Sequence, residues 1–191
     1  MQNSSYKNKE IKRPFWSKER YLQILALLFT IAISVVIFIN RGRILELAPY
    51  GYIGVFLISV ITCSSIVLPV PGLIIVTTMG AILNPILVGV VAGIGGTLGE
   101  TTGYLLGYGG RIVTEESKLY SRMVEWMKKW GNITIFVLAL TPNPLFDIAG
   151  AAAGMLRFPF WKFFLLGAAG RIPKNILFAY IGIWGAHFLP F

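Results

Sequence analysis

The sequence is poor in charge and in the side chains that bind metals: 13% of its 191 residues are charged, and it has one cysteine and one histidine. The low charged fraction excludes an ordinary soluble domain, in which about a quarter of the residues are charged. The single cysteine, Cys63, excludes both a disulfide framework within the chain and a cysteine-rich metal site. No Ser-His-Asp, HExxH or phosphate-loop pattern is present. We therefore expect no enzymatic activity, no metal and no cofactor.

Acidic residues are also scarce, with 8 Asp and Glu against 17 Lys and Arg. The basic residues flank apolar segments and do not alternate with aromatics on one polar surface, so a nucleic-acid partner is not indicated. Residues 1–20 hold six Lys and Arg, residues 111–131 five and residues 157–162 two, against two in residues 40–49. Because cytoplasmic flanks are enriched in Lys and Arg, we expect the first three regions and the N-terminus on the cytoplasmic side of a prokaryotic cytoplasmic membrane.

Long apolar segments predict an all-α integral membrane protein with a single membrane domain. Residues 1–20 form a basic cytoplasmic tail, and residues 21–39 are long enough to be a first transmembrane helix. Residues 50–110 then form a first repeat. Residues 111–131 form an amphipathic helix in the membrane interface, and residues 132–186 form a second repeat.

Proline-rich breaks recur at an offset of about 73 residues, where Pro69-Val70-Pro71-Gly72 is matched by Pro142-Asn143-Pro144. The apolar run after the first break, residues 73–83, reaches only about 16 Å as a helix, or half a bilayer. Each repeat is therefore predicted to be a re-entrant helical hairpin followed by a transmembrane helix, with the two repeats inverted. The predicted hairpin-tip residues are Pro69, Pro71, Gly72, Pro142, Asn143 and Pro144.

Four charged residues in the apolar repeats are the candidates for a substrate or ion site: Glu100, Asp147, Arg171 and Lys174. An ionised side chain in hydrocarbon costs several kcal/mol, so each needs a partner or water. Glu100 and Arg171 each follow a glycine in the long helix of their repeat. They are either a structural ion pair that joins the repeats or part of a water-filled cavity in which Arg171 and Lys174 hold an anion.

Glycines at intervals of four residues mark the predicted long helix of the first repeat. A stripe of this kind lets another helix backbone approach closely. The predicted helix-packing residues are Gly95, Gly99, Gly103 and Gly107.

Three segments together resemble the DedA family, also called the SNARE-associated Golgi or VTT-domain family: residues 68–72, Gly99-Glu100-Thr101-Thr102-Gly103-Tyr104, and Gly170-Arg171-Ile172-Pro173-Lys174-Asn175. The resemblance implies two facing re-entrant hairpins and movement of lipids, which is undecaprenyl phosphate return in bacteria and phospholipid scrambling in eukaryotes. By position, Glu100 and Arg171 match the family's acidic and basic residues. The second hairpin departs from the family's Arg-Phe-x-Pro-x-x-Arg pattern, because both arginines are absent and Asp147 stands nearby.

These observations favour a lipid flippase or scramblase for lipids with an anionic phosphate headgroup. Its partners would be membrane lipids, either polyprenyl phosphate or phospholipid, with proton coupling and a homo-oligomer left open. One alternative is a secondary transporter of a small anion or ion. The other is a non-transporting membrane scaffold or assembly factor.

Overall fold

The structure is a computed structural model that describes residues 28, 31–32, 34–36, 39, 48–64, 72–109, 118–142 and 145–187. This part of the chain contains helices and no strands, which confirms the all-α prediction. Its six complete helices are α1 (Ala48–Ser64), α2 (Gly72–Gly80), α3 (Pro85–Tyr108), α4 (Lys118–Leu140), α5 (Leu145–Met155) and α6 (Phe160–His187). The predicted tail, most of the predicted first transmembrane helix, and Pro69, Pro71, Asn143 and Pro144 lie outside the described residues.

The dipeptide Asn84-Pro85 starts helix α3. The Asn84 side chain accepts hydrogen bonds from the backbone N–H groups of Ile86 at 3.0 Å and Leu87 at 3.2 Å. Pro85 occupies the first helical position, where its missing N–H costs nothing. The Asn84 backbone N–H donates to the Tyr52 hydroxyl at 3.2 Å. The start of α3 is thereby tied to α1.

Helix α4 changes direction at Trp130, which has a φ of −135° and a ψ of 33°. The amphipathic segment therefore continues into the next apolar segment as one helix with a kink, at one residue from the predicted boundary at Gly131. The Thr134 hydroxyl donates to the Trp126 carbonyl at 3.3 Å. That carbonyl would bond the Trp130 N–H in a straight helix, so Thr134 gives it a partner at the kink.

Helices α3 and α6 cross at the centre of the described residues, and the other helices pack around them in two equivalent sets. Helix α1 packs on α3 as α4 packs on α6, and α2 packs on α6 as α5 packs on α3. These four contacts are therefore the same in both halves when α1 is exchanged with α4, α2 with α5 and α3 with α6.

Close glycine contacts follow the same exchange. A Cβ atom on Gly107 of α3 would collide with the Ala151 carbonyl of α5, and one on Gly182 of α6 would collide with the Thr77 carbonyl of α2. In the middle of α3, Gly95 and Gly99 face the backbone of α1 at Phe56 and Val60. Gly103 differs from the rest of the predicted stripe, because its nearest neighbour would be the Asp147 carbonyl at 3.8 Å, an ordinary contact.

Apolar residues cover much of the outside of the described structure, and two charged residues are buried inside it. On α1, Ile53, Leu57 and Ile61 form a stripe with more than half of each side chain exposed, whereas Glu100 and Arg171 are buried. A soluble monomer rarely exposes large apolar patches. Among the described residues, α3 is long and apolar enough to cross a membrane.

Candidate functional site

The site is built around an ion pair between the two central helices. Arg171 of α6 donates from Nη2 to Oε1 of Glu100 of α3, and only 7% of Arg171 and 3% of Glu100 is exposed. Each residue follows a glycine that faces a neighbouring backbone: Gly99 meets Val60 of α1, and Gly170 meets Phe136 of α4. The close packing places both charges at the helix crossing.

Cys63 of α1 is a third member of the site. Arg171 donates from Nη1 to the Cys63 Sγ at 3.0 Å. The sequence alone suggests only that Cys63 is a small apolar residue. It does not predict the contact with Arg171, because that contact depends on how α1 packs against α3. A Cβ atom on Gly99 would lie 2.9 Å from the Cβ of Cys63, so Gly99 lets Cys63 come this close.

The remaining surroundings of Arg171 hold its guanidinium group in place. Its central carbon lies 4.7 Å from the centre of the Phe146 ring, a cation–π contact with α5. A Cβ atom on Gly96 would lie 2.8 Å from Nη1, so only glycine leaves room for the guanidinium there. Arg171 Nε is buried and has no hydrogen-bond partner within the described ranges. The group therefore keeps one spare donor inside the protein.

Asp147 lies in the first turn of α5, next to the ion pair. Its carboxyl group lies near the Glu100 carboxyl group. Gly150, one turn further along α5, would place a Cβ atom 3.7 Å from Glu100 Oε2. Helix α5 therefore brings a second carboxyl group against the first, and its small residues allow the approach.

Lys174 lies one turn after Arg171 on α6 and is half-buried. It has no ion pair with any described residue. In α3, Gly107 comes eight residues after Gly99. In α6, the equivalent Gly182 comes twelve residues after Gly170. Helix α6 therefore has about one more turn than α3 in this region. Lys174 lies in that interval and adds a second positive charge close to Arg171.

Hydroxyl groups lead from the surface toward Cys63. Thr102 of α3 is exposed, and its hydroxyl donates to the Ser64 carbonyl at 3.2 Å. On α1, Thr62 and Ser64 flank Cys63, and a Cβ atom on Gly72 would lie 3.1 Å from the Thr62 hydroxyl. Gly72, a predicted hairpin-tip residue, is the first residue of α2. Pro142, another predicted tip residue, is exposed after the end of α4.

The cluster thus joins two carboxyl groups, a guanidinium, a thiol and a nearby ammonium from four helices. A guanidinium binds phosphate or carboxylate through paired hydrogen bonds, and paired carboxyl groups can hold a proton between them. Within the described ranges, no group of three His, Cys, Asp or Glu side chains is placed to hold a metal ion. The chemistry available at the cluster is anion binding and proton binding.

The family model for the VTT domain matches residues 70–183. Undecaprenyl phosphate transporter A of Bacillus subtilis (strain 168) is 33% identical over 143 residues, which cover 70% of each chain. The vacuole membrane proteins KMS1 and KMS2 of Arabidopsis thaliana are 33% and 32% identical over 41% of this chain. The matches cover 24% of each plant protein, so this chain aligns with about a quarter of their length. No solved structure matches the chain.

Proposed function

This chain belongs to the VTT-domain family, also called the DedA family, and on that premise we propose that it transports lipids with an anionic phosphate headgroup across the bilayer. The headgroup passes through the buried cluster while the acyl or prenyl tail stays in the membrane. One observation carries the proposal: a guanidinium with a spare buried donor lies at the crossing of two helices whose outer surfaces are apolar. The name of the Bacillus relative favours a polyprenyl phosphate as substrate.

The short helices support a pair of re-entrant hairpins. Helix α2 has 9 residues and α5 has 11, which correspond to about 13 Å and 16 Å, against about 30 Å for the bilayer core. Each of them packs on the long helix of the other repeat. Two inverted repeats with their hairpins facing each other account for both facts. In that arrangement the N-terminal ends of α2 and α5 lie inside the membrane.

The same arrangement supports anion binding at the tips. The N-terminal ends of α2 and α5 would point backbone N–H groups and the positive ends of their dipoles toward the interior. Arg171 and Lys174 add two positive side chains close by. A phosphate group, which needs several donors and positive charge, suits this surrounding better than a neutral solute.

The two carboxyl groups supply a means of proton coupling. Glu100 and Asp147 can share one proton, because two like charges close together disfavour double ionisation. Glu100 also binds Arg171, so a proton gained by Glu100 weakens its hold on the guanidinium. Arg171 is then free to bind a phosphate oxygen.

Transport in liposomes tests the proposal. The purified full chain is reconstituted, and the movement of labelled undecaprenyl phosphate, phosphatidylglycerol and phosphatidylcholine is measured. The test variant is Arg171→Lys, which keeps the charge beside Glu100 but loses the planar fork of donors. Losing a charge-assisted hydrogen bond of about 1.5–3 kcal/mol predicts movement of the anionic lipids slower by about tenfold or more.

The matched control is Lys162→Arg, the reverse exchange at an exposed position of α6, which should move lipids like the wild type. A well-folded Arg171→Lys variant with wild-type rates would contradict the proposal. So would transport of free inorganic phosphate without any lipid movement, which would favour a small-anion transporter.

A further inference from the structure

A second polar feature lies away from the buried cluster, at the kink of α4. It is an open surface pocket with a volume of about 440 Å³, called the cavity below. Eight residues line it: Met127, Lys128, Lys129, Trp130, Gly131, Asn132, Ile133 and Phe158. None of them belongs to the proposed transport site.

The cavity exists because of the kink and of Gly131. The non-helical backbone at Trp130 lies in the middle of the residues that line the cavity. A Cβ atom on Gly131 would lie 3.1 Å from the Phe158 ring, so the glycine lets this ring close against the helix. Phe158 therefore forms the floor.

Three hydrogen bonds hold the floor in position. Helix α5 ends with the Phe158 N–H bonding the Ala153 carbonyl at 2.9 Å and the Arg157 N–H bonding the Gly154 carbonyl at 2.9 Å. Arg157 has a φ of 51°, so the end is a Schellman motif with arginine where glycine is usual. The Tyr104 hydroxyl of α3 donates to the Phe158 carbonyl at 2.6 Å. The floor is a built part of the fold, anchored to two helices.

The rim of the cavity is positive and amphipathic. Lys128 and Lys129 are exposed, and none of the eight described lining residues is acidic. The Lys129 ammonium lies 5.8 Å from the centre of the Trp130 ring. Trp130 is 54% exposed, and Asn132 adds an exposed amide that can donate hydrogen bonds. Exposed tryptophans beside lysines are typical of the headgroup level of a membrane.

We propose that this cavity binds the phosphate headgroup of an anionic phospholipid from the surrounding leaflet. The lysines and Asn132 hold the phosphate, while Trp130, Ile133 and Phe158 contact the glycerol and the upper part of the acyl chains. The charge of the lining selects an anionic over a zwitterionic headgroup. The site is separate from the buried cluster and does not depend on lipid passing through it.

Binding of short-chain lipids to the purified full chain in detergent tests the proposal, with tryptophan fluorescence as the readout. The probes are dioctanoyl phosphatidylglycerol, dioctanoyl phosphatidylcholine and inorganic phosphate. The test variant is Lys128→Gln/Lys129→Gln. The matched control is Arg122→Gln/Lys162→Gln, which removes the same charge from exposed positions outside the cavity.

Phosphatidylglycerol should bind saturably to the wild type and the control, and about tenfold or more weaker to the test variant, since each surface lysine contributes about 1 kcal/mol to binding an anionic lipid. Phosphatidylcholine should bind more weakly than phosphatidylglycerol, and inorganic phosphate should not compete at the same concentration.

Two results would overturn the proposal. The first is equal phosphatidylglycerol affinity for the test and control variants. The second is equal affinity of the wild type for both lipids, or competition by inorganic phosphate as strong as by the lipid.

Discussion

Arg171 illustrates what single residues contribute and what the sequence could predict about them. Opposite charges after equivalent glycines predicted that Glu100 and Arg171 approach each other, and the structure joins them. Their role in transport stays a prediction. The contact with Cys63 could not be predicted, because it depends on the rotation and depth of α1 against α3. The contact of Phe146 with Arg171 was also not predicted, since a cation–π contact leaves no spacing signal in a sequence.

The thiol of Cys63 should matter as an acceptor and not as an apolar group. Cys63→Ser keeps an acceptor for Arg171, whereas Cys63→Val has similar volume and none. Leaving a buried charged donor without a partner costs about 1–3 kcal/mol. We expect Cys63→Val to unfold at lower temperature and Cys63→Ser to remain near the wild type, as measured by thermal unfolding in detergent. Equal stability of the two variants would show that the contact is unimportant.

The carboxyl pair predicts how transport depends on pH. Asp147→Asn keeps a hydrogen-bonding group beside Glu100 but removes one of the two proton-binding groups of the pair. Arg171, Lys174 and Cys63 are the other titratable groups around it, and they remain unchanged. We expect a flatter dependence of lipid movement on pH, measured in the liposome assay between pH 5 and 8. An unchanged pH profile in an active Asp147→Asn variant would contradict proton sharing.

At the scale of helices, proline and glycine patterns carried most of the predictable information. The sequence predicted a long helix in the first repeat, and α3 runs from Pro85 to Tyr108. The kink at Trp130 was not predicted, because the helix-ending signal at Gly131 is outweighed by apolar residues that continue the helix to Leu140. The glycine stripe was predicted as one packing face. In the structure, Gly95 and Gly99 face α1 and Gly107 faces α5, because four-residue steps rotate slowly around a helix.

The glycines that meet backbone atoms should be intolerant of even one methyl group. Gly107→Ala and Gly182→Ala would each place a Cβ atom into a carbonyl group of a neighbouring helix. Overpacking of this kind typically costs about 1–3 kcal/mol. We expect both variants to unfold at clearly lower temperatures than the wild type.

The control for the glycine variants is Gly54→Ala, in the middle of α1. A Cβ atom there meets nothing within 4 Å, and alanine favours a helix over glycine by about 0.5–1 kcal/mol. Gly54→Ala should therefore be neutral or stabilising in the same thermal unfolding measurement. Destabilisation of all three variants to the same degree would refute the packing explanation.

At the scale of the whole molecule, the described residues combine a buried ion pair with a largely apolar surface, and the main contacts of the helices repeat under exchange of the two halves. Self-comparison of the sequence predicts a repeat from its proline and glycine breaks, and the inverted arrangement stays a prediction. It could not predict which short helix packs on which long one, since α2 and α5 each pack on the other half. The additional turn in α6 also leaves no signal until the equivalent glycine contacts are compared.

The distribution of basic residues predicts the orientation of the molecule. In a Cys63→Ser background, single cysteines at Ser4, Ser117 and Phe191 are labelled from outside with a membrane-impermeant reagent. Residues 1–20 and 111–131 hold most of the Lys and Arg, so Ser4→Cys and Ser117→Cys should be protected together and Phe191→Cys labelled. Labelling of all three positions from outside would refute this topology.

The central claim of the account is that Glu100 and Arg171 carry a lipid phosphate and do more than join two helices. Removing one partner of a buried pair costs about 3–5 kcal/mol, whereas removing both leaves no lone charge. The double variant Glu100→Gln/Arg171→Gln should therefore be more stable than either single variant. The most direct measurement is its rate of undecaprenyl phosphate movement in liposomes, taken alongside its thermal stability. The account predicts a folded double variant that moves the lipid no faster than protein-free liposomes, and a double variant as fast as the wild type would contradict it.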